Sequence, residues 1–274
     1  MHIADRTGHR GRRVLVRSRR PVVKLRSAPG YRDCDALDPT ARTRMIVGET
    51  MKPLQTPTTR RPSNSDESGR GLLVTLDGPS GVGKSTVSVL LAERFAALAP
   101  VLHTTQPSDS EIGKLARHGT FDYHGLPLAL LVAADRYLHT TTVIEPAIAA
   151  GTIVVCDRYL LSSLVLEQLD GVDADFITDL YRHLPLPDFA FVLHDEPERC
   201  RERAAARGGY SRFHQNDPAT AATEGEMFTA LAETLAAHGY PVRRVKVAGR
   251  SAAAVAEEIH AEVETSWATS HPRR

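Results

Sequence analysis

The sequence predicts an α/β fold: a five-stranded parallel sheet covered by helices on both faces. Three observations carry this. Five short apolar or β-branched runs recur within residues 71–266, and each is followed by a longer segment whose apolar residues fall at helical spacing. Three of the runs, at 72–77, 152–156 and 189–194, are almost unbroken apolar or β-branched stretches, as strands buried on both faces are. The first run passes through a glycine-rich turn directly into a helix, which is the strand–turn–helix start of a βαβ unit.

The elements follow in order. Leu72 to Asp77 reads as the first strand, and the helix beginning near Lys84 carries Val87, Leu90, Leu91, Phe95 and Leu98 on one face. Val101–Thr105 is the second strand and runs out into Gln106-Pro107-Ser108. Ser110 is placed to cap a helix through Arg117, with Glu111 in its first turn. Gly119 to Pro127 is a loop holding Phe121 and Tyr123. Pro127 to Ala150 reads as one long helix ended by Gly151. Thr152–Cys156 is the third strand and leads into Asp157-Arg158-Tyr159. Leu160–Leu169 and Ala174–His183 are helical, and Phe189–His194 is the fourth strand. Asp195 and Glu198, with Pro197 between them, form a capping-box-like start to a helix ending at Ala206. Gly208-Gly209 breaks that helix, and Tyr210 to Pro218 is a polar, basic loop. Thr220–His238 is the next helix, Val242–Val247 the fifth strand, and Ser251 caps a last helix to Val263.

Between the first strand and its helix stands Gly78-Pro79-Ser80-Gly81-Val82-Gly83-Lys84-Ser85-Thr86, which satisfies G-x-x-x-x-G-K-[ST] at every fixed position. Glycines let backbone N–H groups wrap an anion without Cβ clashes, and the helix N-terminus adds a positive dipole end. Lys84 is expected on the β- and γ-phosphates of a nucleoside triphosphate and the Ser85 hydroxyl on Mg²⁺. The predicted architecture is therefore a P-loop NTPase three-layer sandwich, with a nucleoside triphosphate and Mg²⁺ as its expected ligands. Ligands belong at the carboxyl edge of the sheet, where Gly78, Gln106 and Asp157 fall. Asp157 ends an apolar strand, the position of a metal-organising acid in this architecture, so Ser85 and Asp157 are the expected metal ligands. Arg158 beside it reads as a phosphate clamp, because a guanidinium fork matches phosphate oxygens. Arg203, Arg207 and Arg212 flank the glycine break, as in an arginine-bearing lid that neutralises developing charge and excludes water. Spacing alone leaves Asp135-Arg136 open as a surface ion pair.

Charge divides the chain. Residues 1–70 carry 16 Lys+Arg against 7 Asp+Glu, whereas the rest carry 18 against 26. The first segment, with its basic cluster from Arg10 to Arg20, reads as a disordered extension and linker. A nucleic-acid arm is disfavoured because Tyr31 is its only aromatic residue. A transit peptide is a second reading, and a functionless extension with Met45 or Met51 as the true start is the preferred one. Residues 71–266 form the expected catalytic domain and 267–274 a polar tail. The cysteines, Cys34, Cys156 and Cys200, are odd in number and lack a C-x-x-C pair, so the reducing cytoplasm is the expected compartment. The twelve histidines show no metal-binding cluster, and no apolar run is long enough for a membrane span.

Residues Leu130 to Gln168 (LLVAADRYLHTTTVIEPAIAAGTIVVCDRYLLSSLVLEQ), Thr104 to Pro107 (TTQP) and Pro187 to Gly208 resemble the corresponding blocks of thymidylate kinases, across about residues 71–266. The resemblance implies transfer of the ATP γ-phosphoryl group to a nucleoside monophosphate, dTMP first, by a homodimer joined through helices on one face of the sheet. It implies that Arg136 and Arg158 grip the acceptor phosphate, with Gln106 and Val132 also in the acceptor site, and that Asp157 holds the Mg²⁺ network. The P-loop interior carries no arginine, which in that family goes with a catalytic lid arginine: Arg212 first, Arg207 second. Departures cluster around the base and sugar. Val132 stands at the family's stacking Phe, Ser80 at its P-loop acid, Thr105-Gln106 at its R-E pair and Leu166 at the aromatic beside the sugar 2′ position. Phe121 and Tyr123 are the expected replacement stacking faces. A kinase of the same fold with another acceptor, and a catalytically degenerate nucleotide-binding module, are the alternatives.

Overall fold

The computed structural model describes residues 69–208, 211–213 and 217–270. The expectations for residues 1–68 and for the last four residues lie outside the described residues. Strands β1 (Leu73–Asp77), β2 (Val101–Thr105), β3 (Ile153–Asp157), β4 (Phe189–His194) and β5 (Val242–Lys246) form one sheet in the order β2-β3-β1-β4-β5, with every neighbouring pair parallel. This is the predicted sheet. Its helices are α1 (Lys84–Phe95), α2 (Glu111–His118), α3 (Leu126–His139), α4 (Glu145–Ala149), α5 (Leu160–Leu169), α6 (Ala174–Tyr181), α7 (Pro197–Ala206), α8 (Pro218–Ala237) and α9 (Ala252–Ser270).

The period-two alternation of the strands builds two cores. Leu73, Val154, Cys156, Ala190, Val192 and Val242 turn to one face, against Ala133, Leu164, Ile177 and Phe228 of the helices that cover it. Leu72, Val74, Leu76, Val155, Phe191 and Leu193 turn to the other, against Val87, Leu91 and Phe95 of α1 and Val255, Ile259 and Val263 of α9. Strands β1 and β3 are wholly buried. The chain leaves β1, runs through α1 and returns at β2 beyond β3. It then leaves β3 and returns at β4 beyond β1. The strand order therefore reverses between β1 and β3, and their carboxyl ends open a crevice there.

Several boundaries differ from expectation. The stretch predicted as one helix from Pro127 to Ala150 starts a residue earlier, and a π-helical turn, Thr140–Ile144, separates α3 from α4. Pro146 explains the turn: it has no N–H to give the preceding turn and its ring crowds the carbonyl four residues back. The Thr141 and Thr142 hydroxyls bond back to carbonyls of Tyr137 and Leu138. At α7 the expected Asp195 cap is displaced: Glu196 occupies the cap position with no side-chain bond, and Asp195 pairs with Arg203 instead. Helix α8 begins at Pro218, capped by Asp217, two residues before the expected start. Helix α9 runs past Val263 to Ser270, through part of the expected tail, because Trp267 still packs against the second core. Ser110 caps α2 as expected, accepting from the Gly113 N–H at 2.9 Å.

Candidate active site

The turn after β1 is shaped by three glycines with positive φ: Gly78 at 138°, Gly81 at 81° and Gly83 at 107°. At Gly81 the requirement is also steric. A Cβ there would lie 1.9 Å from the Cys200 carbonyl oxygen of α7, so the loop is pressed against that helix. Val82 is fully buried in the second core and anchors the loop, while Ser85 and Thr86 at the start of α1 stay exposed. The Lys84 ammonium lies inside the loop and donates to the carbonyl oxygens of Gly78 (2.7 Å) and Pro79 (2.8 Å). Burial, then repulsion from Arg158, lowers its pKa from 10.5 to about 7. A lysine so placed gains from a polyphosphate, whose charge restores its own.

Strand β3 delivers the facing groups. The Ser85 hydroxyl donates to Asp157 Oδ2 at 2.5 Å. Asp157 Oδ1 is buried with no hydrogen-bond partner among the described residues. An orphaned carboxylate oxygen beside a serine hydroxyl is a hard-oxygen pair that suits Mg²⁺, an ion usually bound by one or two protein oxygens plus substrate phosphates. Arg158 sits at φ 72°, a left-handed conformation costly for a side-chain-bearing residue, and its buried Nη1 has no partner among the described residues. The backbone is held there by the Arg158 N–H on the Leu76 carbonyl at 2.9 Å, and by Asp77. Asp77 is fully buried, and its Oδ1 accepts from the Tyr159 N–H (2.9 Å), the Ser162 N–H (2.9 Å) and the Ser162 hydroxyl (2.6 Å). The last residue of β1 therefore fixes the turn after β3.

Gln106 and Arg136 meet deeper in the crevice. Gln106 donates its N–H to the Asp157 carbonyl at 3.0 Å, and its side-chain oxygen accepts from Arg136 Nη1 at 2.5 Å. Arg136, only 2 % exposed, also donates to the Ser163 hydroxyl at 3.0 Å and lies over the rings of Tyr159 and Tyr181, each centroid 5.5 Å away. Asp135 is not a surface ion-pair partner. It is fully buried and accepts from the Ser108 N–H (2.6 Å), the Ser108 hydroxyl (2.5 Å) and the Ser110 hydroxyl (2.7 Å). The Asp135-Arg136 pair thus splits its work: the acid pins the loop after β2, and the base holds that loop's Gln106.

Residues from both sides enclose one cavity of about 520 Å³. Lys84, Ser85, Asp157 and Arg158 stand in its lining, as do Gln106, Val132, Arg136 and Leu166 from the acceptor side. Residues as distant in the chain as Lys84 and Arg207 line the same space. Phe121 and Tyr123 do not line the cavity: Phe121 is 59 % exposed, and the Tyr123 ring lies against Gly119. Arg207 does line it, whereas Arg212 is engaged elsewhere. Its Nε donates to the Thr120 carbonyl at 2.5 Å and its Nη2 pairs with Asp170. That acceptor-side engagement differs from the placement expected of a lid arginine acting over the donor.

The chain from residue 76 to 238 matches the family model for thymidylate kinase. This chain belongs to the thymidylate kinase family. A probable thymidylate kinase of Pyrobaculum calidifontis is 34 % identical over 203 residues, covering 72 % of this chain and 98 % of that protein. Probable thymidylate kinases of Pyrococcus horikoshii and Pyrococcus abyssi are 37 % and 38 % identical over 153 residues, each match covering 53 % of this chain and 75 % of the relative.

Two buried acids that sequence reading did not single out stand beside the groups of this site. Glu224 of α8 is 5 % exposed and accepts from the Ser80 N–H at 3.1 Å. Burial raises its pKa, and the nearby Lys84 and Arg158 oppose that rise. It gives the P-loop a buried acid from a helix 144 residues away, beside the position where Ser80 lacks one. Glu167, in the cavity lining, accepts from the Tyr181 hydroxyl at 2.5 Å, and burial pushes its pKa up to about 7. Unfolded, it titrates near 4.5, so between these values the folded state holds a proton that the unfolded chain lacks. The stability this contributes is full below the lower value and lost as pH rises through 7. Glu167→Gln, neutral at every pH and still able to accept from Tyr181, should therefore raise the thermal midpoint by about 4 °C at pH 8 and leave it unchanged at pH 4.5. Scanning calorimetry at the two pH values checks this, and an equal shift at both would refute the assignment.

Proposed function

We propose that the chain transfers the γ-phosphoryl group of ATP to the 5′-phosphate of dTMP, yielding dTDP and ADP. The observation that carries this is the shared cavity: the P-loop of β1–α1 and the Asp157-Arg158 turn of β3 open into the same space as the acceptor-side residues of α3 and α5. The family match supports dTMP as the acceptor.

The geometry supports the following roles. The backbone amides of Gly81 to Thr86 and the Lys84 ammonium hold the triphosphate. Ser85 and Asp157 are the residues that would hold Mg²⁺, which when bound offsets negative charge between the two phosphate chains. Arg158, beside Lys84 and Asp157, takes the acceptor phosphate. Arg136 has its guanidinium spread over Gln106, Ser163 and two tyrosine rings, and the donors left to it suit a single carbonyl of a base better than a dianion. Arg207 lines the cavity and is the better placed arginine for charge developing on the transferring group, with Arg212 committed to Asp170. The rate acceleration comes from positioning and electrostatics, since phosphoryl transfer asks little covalent chemistry of the protein.

No described helix is long and apolar enough to cross a membrane. Cys156 and Cys200 are buried free thiols, in keeping with a reducing cytoplasm. Helix α3 leaves Leu126, Leu130 and Leu138 each more than 40 % exposed, and this apolar side supports a homodimer joined through helices of that face. A coupled ADP-release assay across dTMP, dUMP, dCMP and dGMP tests the reaction. The highest turnover is expected with dTMP. Release with dTMP no faster than with water, alongside turnover of another acceptor, would reassign the substrate. Binding of ATP with no turnover of any acceptor would favour a degenerate nucleotide-binding module.

A further inference from the structure

The acceptor side of the cavity lacks a ring where the family carries its stacking Phe, because Val132 occupies that position. Among the described residues lining the cavity, one phenyl, phenol or indole ring is present, and it comes from the other direction: Phe213, in the loop after α7. It lines the same space as Leu128 and Val132 of α3 and Leu166 of α5.

The ring is held in place. The Phe213 N–H donates to the Ser211 hydroxyl at 3.3 Å, and the Arg212 guanidinium carbon lies 4.3 Å from the ring centroid. Arg212 is in turn tied down at three points: its N–H reaches the Thr120 hydroxyl at 3.4 Å, its Nε the Thr120 carbonyl at 2.5 Å, and its Nη2 the Asp170 carboxylate. The ion pair is largely shielded, with side-chain exposures of 15 % for Arg212 and 8 % for Asp170. The same Asp170 oxygen accepts from the Gly125 N–H at 2.6 Å. One carboxylate at the end of α5 thus fastens both the start of α3 and the arginine that backs Phe213. An arginine spent this way is unavailable for the transferring phosphate, and its placement is explained without that role.

We propose that Phe213 is the base-stacking wall of the acceptor site and the residue that restores the aromatic contact absent at Val132. Arg212 and Asp170 are then positioning residues for that wall. The proposal rests on the assignment of a nucleoside monophosphate as acceptor. Stacking is a property of the base, whereas the contacts of Arg158 are with phosphate, so the two are separable by an acceptor that has no base.

The test compares dTMP with 2-deoxyribose 5-phosphate by competition calorimetry on the full chain, alongside dTMP turnover. Phe213→Ala and Phe213→Leu should each weaken dTMP about tenfold and leave 2-deoxyribose 5-phosphate and ATP within about twofold of the parent. Phe213→Trp should keep dTMP within about threefold. Asp170→Asn should lose dTMP affinity in the same base-dependent way, which a merely structural ion pair would not do. The leucine variant keeps apolar bulk, so its loss cannot be ascribed to a collapsed loop. Unchanged dTMP affinity in both the alanine and leucine variants, or an equal loss with the base-free acceptor, overturns the proposal. If the parent binds dTMP in this base-dependent way yet never phosphorylates it, the reaction assignment falls and the stacking wall stands.

Discussion

Lys84→Ala is expected to lower kcat/KM for dTMP by several hundredfold (about 10²–10³), with secondary structure retained. The amine lies within a loop whose carbonyls already orient it, so it is in position before substrate arrives and the incoming polyphosphate secures its charge. Preorganised charge in a water-poor site is where electrostatic contributions to phosphoryl transfer are largest, commonly about 3–4 kcal/mol for one such group. The protein gives up that benefit in its resting state, since burial and Arg158 lower the Lys84 pKa to about 7. Removing the amine should therefore leave stability nearly unchanged while catalysis collapses. Circular dichroism and steady-state kinetics on one preparation measure both, and residual activity within threefold of the parent would refute the role given to Lys84.

Asp157→Asn is the second large effect. Asparagine has the same shape and can still accept the Ser85 hydroxyl, so the packing at the end of β3 should survive. What disappears is the charge on the orphaned Oδ1. The concentration of Mg²⁺ needed for half-maximal turnover is expected to rise more than about tenfold, and kcat at saturating Mg²⁺ to fall about a hundredfold. Titration of activity with Mg²⁺ in parent and variant reads both. An unchanged Mg²⁺ dependence would remove Asp157 from the metal site and leave it as a hydrogen-bond partner of Ser85.

Much of this was legible because it is local. The strand–turn–helix around Gly78 to Thr86 is a contiguous pattern, and the apolar run into Asp157-Arg158 marks the next strand of the same edge. The sheet followed from alternation of strands and helices, and the start of α2 from its capping residue Ser110. The parts not legible depend on contacts between distant residues. Asp77 reads as the polar end of a strand, and only the sheet order sets it on Tyr159 and Ser162. Glu224 lies on a helix that shows a surface-like scatter of acids, and nothing local places it on Ser80. Asp135 looked like half of an ion pair because neighbouring opposite charges usually are, but successive helix positions point in different directions. The replacement aromatic was sought in the nearest loop, at Phe121 and Tyr123. The ring that enters the cavity belongs to a loop about ninety residues further along the chain, brought over by the Arg212 tie to Thr120.

The three bonds accepted by Asp77 have a consequence for how this site can diverge. They fasten the start of α5 and the Arg158 turn to the end of β1, so the loop that follows β1 and the turn that follows β3 share one anchor. Val132, Leu166 and Phe213 contribute none of these bonds. Substitutions among them alter what the cavity admits while the phosphate-handling frame keeps its shape. On the proposed assignment, a ring on a distant loop can stand in for one on α3 without disturbing the Asp77 bonds. On that assignment, acceptor preference can change by substitution at Val132, Leu166 and Phe213 while the bonds that fix the turn after β3 stay as they are.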